Sequence, residues 1–300
     1  MYNTKAKSST ITNTSEVMKP MIGFSVKKII VPTDFTSVGD SAVRYALDLA
    51  KHAGGNIFLL HIVKSQDGVE DARMKLEKIA AANPDKSGNP LGIIVRVGNI
   101  FDDIPNVAHE ENAELVIMGT HGLRGMQFIV GSNALRIITE SKVPMIIVQE
   151  GTKFSAKVSK LMLPLDLHKE TKQKLKIAGD VAERFKSEVH LISPKETDEY
   201  LLNFLRRNIS YAEGFLESKD IKYKTVITEA GSGGFVSDLL EYAASEGIDM
   251  ICIMNTAEER LIHAFGMDSE QKIITNEAQI PVMVINPAAT LVDSRSIFAQ

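Results

Sequence analysis

The chain states its pattern twice. Lys28-Ile29-Ile30-Val31-Pro32-Thr33-Asp34-Phe35 returns as Lys160-Leu161-Met162-Leu163-Pro164-Leu165-Asp166-Leu167, an offset of 132 from position 28 to position 160. Gly55-Asn56-Ile57-Phe58-Leu59-Leu60-His61 aligns with Ser187-Glu188-Val189-His190-Leu191-Ile192-Ser193 at the same offset. Farther on, Ile117-Met118-Gly119-Thr120 answers Ile253-Met254-Asn255-Thr256, and Val143-Pro144-Met145-Ile146-Ile147-Val148 answers Ile280-Pro281-Val282-Met283-Val284-Ile285. A period this long is a duplicated domain rather than a solenoid unit. Agreement between the halves reports the fold, and disagreement marks where one half has lost a site that the other keeps.

Within the first half, apolar runs of strand length alternate with helical periodicity. Strands are expected at 28–31, closed by Pro32, then at 57–63, 91–97, 115–118 and 144–148. Ala42, Ala46, Leu49, Ala50 and Ala53 fall on one helical face, and Gly54-Gly55 ends that helix. Further helices are expected at 69–82, 100–111 and 133–140. Strands apolar on both faces, separated by helices, imply a parallel sheet covered on both sides. The expected fold is α/β: two tandem doubly wound five-stranded parallel-sheet units, Rossmann-like, each with strand order 3-2-1-4-5. The expected boundaries are an N-terminal arm at 1–25, a first domain at 26–150, a second at 157–287 and a tail at 288–300.

Composition narrows the function. A net charge of −4 gives no reason to expect a nucleic-acid partner. The single cysteine, Cys252, lies in an apolar run and reads as a buried strand residue. No run approaches the roughly 20 apolar residues of a membrane span, and residues 1–25, rich in Ser, Thr, Asn and Lys, lack the apolar stretch of a secretory signal. The expected location is the cytoplasm, by elimination.

Doubly wound sheets bind ligands beyond the carboxyl ends of their strands, where the winding reverses. With the order 3-2-1-4-5, that point lies between the first and fourth strands. The segments leaving them are Pro32-Thr33-Asp34-Phe35 and a loop, Gly119-Thr120-His121-Gly122-Leu123-Arg124-Gly125-Met126-Gln127-Phe128-Ile129-Val130-Gly131-Ser132. Glycines let backbone approach a ligand closely, Ser132 is a good N-cap, and the following helix offers free N–H groups and a positive dipole end. That combination suits phosphate; a connection whose glycines serve only turns is the alternative. Asp34 could accept from a ribose or base or help hold a metal beside phosphates; it could equally bond its own backbone in a turn. Its counterpart Asp166 persists where the glycine loop does not, so both readings of Asp34 stand. His121 has no second ligand at metal spacing and reads as a phosphate-side donor rather than a catalyst. Arg124 either neutralises phosphate or is a solvated loop residue. His61 and His190 are read as equivalent strand ends whose recurrence reflects the fold. No Gly-x-x-x-x-Gly-Lys-Ser/Thr occurs, and no Gly-x-Gly-x-x-Gly follows the first strand.

Through Val31-Pro32-Thr33-Asp34-Phe35 and Gly119-x-x-Gly122…Gly131-Ser132, the chain resembles the universal stress protein family in its tandem form. The resemblance covers roughly 26–149 and 158–286. Its ATP-binding members have Gly-x-x-Gly, usually nine residues, then Gly-Ser/Thr; here eight residues separate Gly122 from Gly131. The resemblance implies an adenine nucleotide, ATP first, held in the first half. Pro32, Thr33 and Asp34 would meet base and ribose, Ile62 would line the adenine pocket, and Met118 and Gly119 would flank ribose and base. Gly122, Gly131, Ser132 and Asn133 would cradle phosphates, with His121 beside them and Mg²⁺ held through the phosphates or by Asp34. It also implies pairing of the two halves through the last strand, further pairing of chains into a homodimer, and a protein partner that the sequence does not name.

The second half departs from this pattern. Asn255 replaces the first glycine and Glu258 the second, with Glu259 next to it. Two carboxylates repel a polyphosphate, so this half is expected not to bind ATP but to serve packing, dimer formation or partner contact. Phe204, Leu205, Arg206 and Arg207 could join such a surface, or lie on a plain helix with one buried face. The leading expectation is a stress-response regulator that binds ATP in its first half with slow or no turnover, because no general base stands out. A weak ATPase or phosphotransferase and a ligand-free scaffold are the alternatives.

Overall fold

In the computed structural model of the chain, the described residues are 26–120, 132–153, 157–165, 171–231, 233–255 and 267–286. The expected arm and tail, residues 154–156 between the two domains, Asp166 and both post-strand loops (121–131 and 256–266) fall outside them.

The first half runs β1 Lys28–Pro32, α1 Ser37–Ala53, β2 Asn56–Val63, α2 Val69–Ala82, β3 Gly92–Val97, α3 Ile100–Glu110, β4 Leu115–Thr120, α4 Ser132–Glu140 and β5 Met145–Gln149. The second runs β6 Lys160–Pro164, α5 Thr171–Phe185, β7 Glu188–Ser193, α6 Glu199–Ser218, β8 Tyr223–Ile227, α7 Phe235–Glu246, β9 Met250–Met254, α8 Met267–Ile274 and β10 Val282–Ile285. Each half has the expected order 3-2-1-4-5. The two are joined into one ten-stranded sheet, β3-β2-β1-β4-β5-β10-β9-β6-β7-β8. Pairing within each half is parallel, and only the central β5–β10 pair is antiparallel, with Ile147, Ile146 and Met145 opposite Val282, Met283 and Val284.

Strand alternation sorts the core onto two faces. Ile29, Val31, Leu59, Ile117, Ile146, Met283, Cys252 and Leu163 belong to one apolar cluster, beneath α1, α2, α5 and α6. Ile30, Leu60, Val116, Met118, Ile147, Val282, Ile253 and Met162 belong to the other, beneath α3, α4, α7 and α8. Both clusters cross from one half to the other without a break. On α6 only Leu205 of the four residues at 204–207 is buried, with Arg206 and Arg207 exposed, which matches a helix with one inward face.

The two strand histidines are not equivalent, contrary to the expectation. His61 is the sixth residue of β2, whereas His190 is the third of β7 and corresponds to Phe58 (190 less 132). His190 is 1% exposed. Its Nδ1 lies 2.8 Å from the Tyr242 hydroxyl, and its Nε2 lies 3.1 Å from Glu188 Oε1. Burial lowers its pKa from the ordinary histidine value, with Glu188 pulling the other way.

Two predictions follow from this architecture. Ile146→Ala, opposite Met283 in the central pair, should cost about 2–5 kcal/mol and shift a single unfolding transition shared by both halves; calorimetry resolving two transitions, only one of them moved, would contradict it. A histidine held neutral by the fold stabilises fully above its unfolded pKa of about 6.5. Below that value the unfolded chain binds the proton first, so stability falls by up to about 1.4 kcal/mol per pH unit. Urea titrations at pH 7.5 and 5.5 should show a smaller loss for His190→Phe than for the wild type; equal losses would count against it.

Candidate functional site

The parallel order β2-β1-β4 sets three carboxyl ends side by side, and α4 begins on the same edge because it returns antiparallel from β4 to β5. Register places Pro32 opposite Leu60, so Ile62 lies one pleat farther along the same face of β2. Ile30 is opposite Val116, so Met118 occupies the matching place on β4. Pro32, Ile62 and Met118 therefore share the α3–α4 face at the carboxyl edge. Pro32 and Met118 are buried, and Ile62 is half-buried. Three residues chosen from the sequence thus come together as one apolar floor.

The turn leaving β1 is tightly tied. Thr33 N donates to Leu60 O at 2.9 Å, and Phe35 N donates to the buried Thr33 hydroxyl at 3.1 Å. Asp34 is exposed. Its Oδ1 accepts from Thr36 N at 3.1 Å and from Thr36 Oγ1 at 2.6 Å, while Thr36 caps α1. The turn-bond reading of Asp34 therefore holds for one oxygen, and the other has no partner among the described residues. Phe35 has φ of 65°, a left-handed conformation that costs a bulky residue of order 1–3 kcal/mol and concentrates where function constrains backbone. Its ring lies 4.3 Å from that of His61. His61 Nδ1 is 2.7 Å from Thr33 O; a carbonyl only accepts, so Nδ1 carries the hydrogen and holds the turn. Sequence reading missed this support. The signal was register: His61 follows Leu60, the partner of Pro32, and so falls beside Thr33.

Gly119 closes the other side. A Cβ there would meet Val38 O at 2.4 Å and Val38 Cγ1 at 2.6 Å, so β4 presses against the first turn of α1. β4 extends through Thr120, two residues beyond the expected end. The helix α4 already includes Ser132, which the sequence placed at its cap. His121, Gly122, Arg124 and Gly131 lie outside the described residues, as do the side chains of Ser132 and Asn133. Among the described residues no group of three or more His, Cys, Asp or Glu could hold a metal, and no helix is long and apolar enough to cross a membrane. An apolar floor, a backbone approach that admits no side chain, and a helix amino end fit a flat ring joined to an anion; any Mg²⁺ would then be held through that anion.

The same edge of the second half is filled differently. Lys174 of α5, at the position of Ala42 (174 less 132), is buried, and its Nζ donates to Pro164 O at 2.6 Å. Asn255, at the place of Gly119, is also buried, and its amide donates to Asn286 Oδ1 at 2.8 Å. Glu258 and Glu259 lie outside the described residues.

Comparison with known proteins agrees with the first half. The sequence profile of the universal stress protein family matches residues 25–149. Two universal stress proteins of Methanocaldococcus jannaschii are 24% identical over 147 residues and 25% over 154, spanning 42% and 41% of this chain and 84% and 94% of their own lengths. A universal stress protein structure from Archaeoglobus fulgidus shares the fold across 86% of this chain and 98% of its own, with a TM-score of 0.70 at 18% identity.

Gly119→Ala should lower stability by about 1–3 kcal/mol through the forced contact with Val38, read from urea denaturation; an unchanged midpoint would show that β4 and α1 have room to separate. Residues 25–149, which carry this site, are similar to the universal stress protein family.

Proposed function

We propose that the chain is a stress-response regulatory protein that binds ATP, or another adenine nucleotide, in the crevice between β1 and β4 of its first half. The observation that carries this reading is the convergence on one edge of the floor formed by Pro32, Ile62 and Met118 with the amino end of α4. The ring of the base rests on the floor. Asp34 Oδ2 is the acceptor for a ribose hydroxyl. The phosphates lie along the glycine loop and the amino end of α4, where free N–H groups and the helix dipole favour negative charge, with Gly122, Gly131, Ser132, Asn133 and His121 around them and Mg²⁺ on the phosphates.

At this edge His61 is committed to Thr33 O and Asp34 Oδ1 to Thr36, which leaves Asp34 Oδ2 for the ribose. The reading is therefore binding with slow or no turnover, with occupancy biasing conformation or partner choice. In the second half, Lys174 and Asn255 use the corresponding edge for internal bonds, which supports a structural role there.

Calorimetric titration with ATP should give one site per chain. Gly122→Glu, which copies the carboxylate of the second half, should weaken binding at least tenfold, and equal affinity would remove the site assignment. At a hundredfold excess over its dissociation constant, ATP should raise wild-type stability by about 2.7 kcal/mol; no shift in thermal unfolding would favour a scaffold without ligand.

A further inference from the structure

The helix that opens the crevice is gripped at its far end by the other half of the chain. Asn286, the residue after β10, is 5% exposed, and its Nδ2 donates both to Ile138 O near the end of α4 and to Ser141 O at 2.7 Å. The last carbonyls of a helix have no partner within it, so an amide donor there fixes where the helix ends. Asn255 braces the donor. Its Nδ2 reaches Asn286 Oδ1 at 2.8 Å and Thr139 Oγ1 at 3.4 Å, and its backbone N donates to Ile285 O at 2.8 Å. Every polar atom of the Asn286 side chain is thereby used.

The mirror arrangement uses different residues. Gln149 corresponds to Asn286 (149 plus 137), is 2% exposed, and donates to Ile274 O at 3.3 Å and Asn276 O at 3.0 Å at the end of α8. Its brace is of another kind: Thr152 Oγ1 accepts from Gln149 N at 2.9 Å and donates to Gln279 O at 2.9 Å, while Gly119 stands where the second half has Asn255. On α4, the helix whose amino end faces the crevice, the residue that supplies the brace is the one whose change removed the first loop glycine from the second half.

We infer that Asn255 and Asn286 are positioning residues for the crevice of the first half: they hold α4 by its carboxyl end so that its amino end stays aimed at the phosphates. The role in binding rests on the nucleotide reading above; the grip on α4 does not. It assigns the second half a task beyond packing, since the affinity of the first half depends on side chains contributed by the second. A nine-residue helix moves as one piece, so loss of its far anchor shifts the N–H groups at its near end.

Hydrogen exchange of the full-length chain without nucleotide, combined with ATP calorimetry, tests this in wild type, Asn286→Leu and Gln149→Leu. In Asn286→Leu, the amides of 132–140 should exchange at least tenfold faster while those of 267–274 stay within twofold, and ATP should bind about fivefold more weakly or worse. Gln149→Leu should do the reverse, loosening 267–274 while leaving 132–140 and ATP affinity within twofold. Should Asn286→Leu fail to fold, Asn255→Ala, which removes only the brace, should give about threefold effects in the same direction. Unchanged exchange in 132–140, equal acceleration of both helices, or unaltered ATP affinity despite a loosened α4 would overturn the inference. Were the wild type to show no heat with ATP, the nucleotide reading would fall, and the exchange pattern alone would decide whether α4 is held from the second half.

Discussion

The antiparallel pairing of β5 with β10 is the contact on which the rest of the molecule depends. Each half is a parallel sheet whose last strand would otherwise be an open edge, a row of unpaired N–H and C=O groups. Pairing the two edges satisfies those groups and makes both cores continuous, so neither half needs to close by itself. It also fixes what the residues just past the strands can reach. Gln149 and Asn286 leave the central pair in opposite directions, and each lands on the last turn of the other half's final helix.

The two halves use corresponding positions differently. Gly119, near the end of β4, must be glycine where β4 meets α1, because Val38 leaves no room for a Cβ. In the second half the same position carries a side chain, and that side chain is spent on a bridge to Asn286 and α4. The second half likewise holds a lysine ammonium against Pro164 O at the edge where the first half has a small alanine. Among the described residues, one edge presents apolar atoms and backbone, and the other is engaged in internal polar bonds.

Much of the fold was legible in the sequence because the hydrophobic pattern changes period at each element and the repeat supplies a second reading of every strand. The strand order was an assumption added to that pattern, since βαβ alternation also allows 2-1-3-4-5; the structure has 3-2-1-4-5 in each half. Pro32, Ile62 and Met118 were named through the family resemblance, and register then showed that they share one sheet face. What sequence did not show was how polar groups are spent. Asp34 reads as ligand or turn residue until Thr36 is seen against its Oδ1. His61 and His190 look alike until register separates a turn support from a buried ring beside Tyr242. The reach of Asn286 to Ile138 spans 148 positions, and no local pattern encodes a contact at that separation.

The asymmetry between the two edges is tested most directly by a crystal structure of the full chain grown with excess ATP and Mg²⁺. The account predicts nucleotide density over Pro32, Ile62 and Met118 with its phosphates at the start of α4, and none beside Lys174 and Asn255. Nucleotide in the second half, with the first crevice empty under the same conditions, would contradict it.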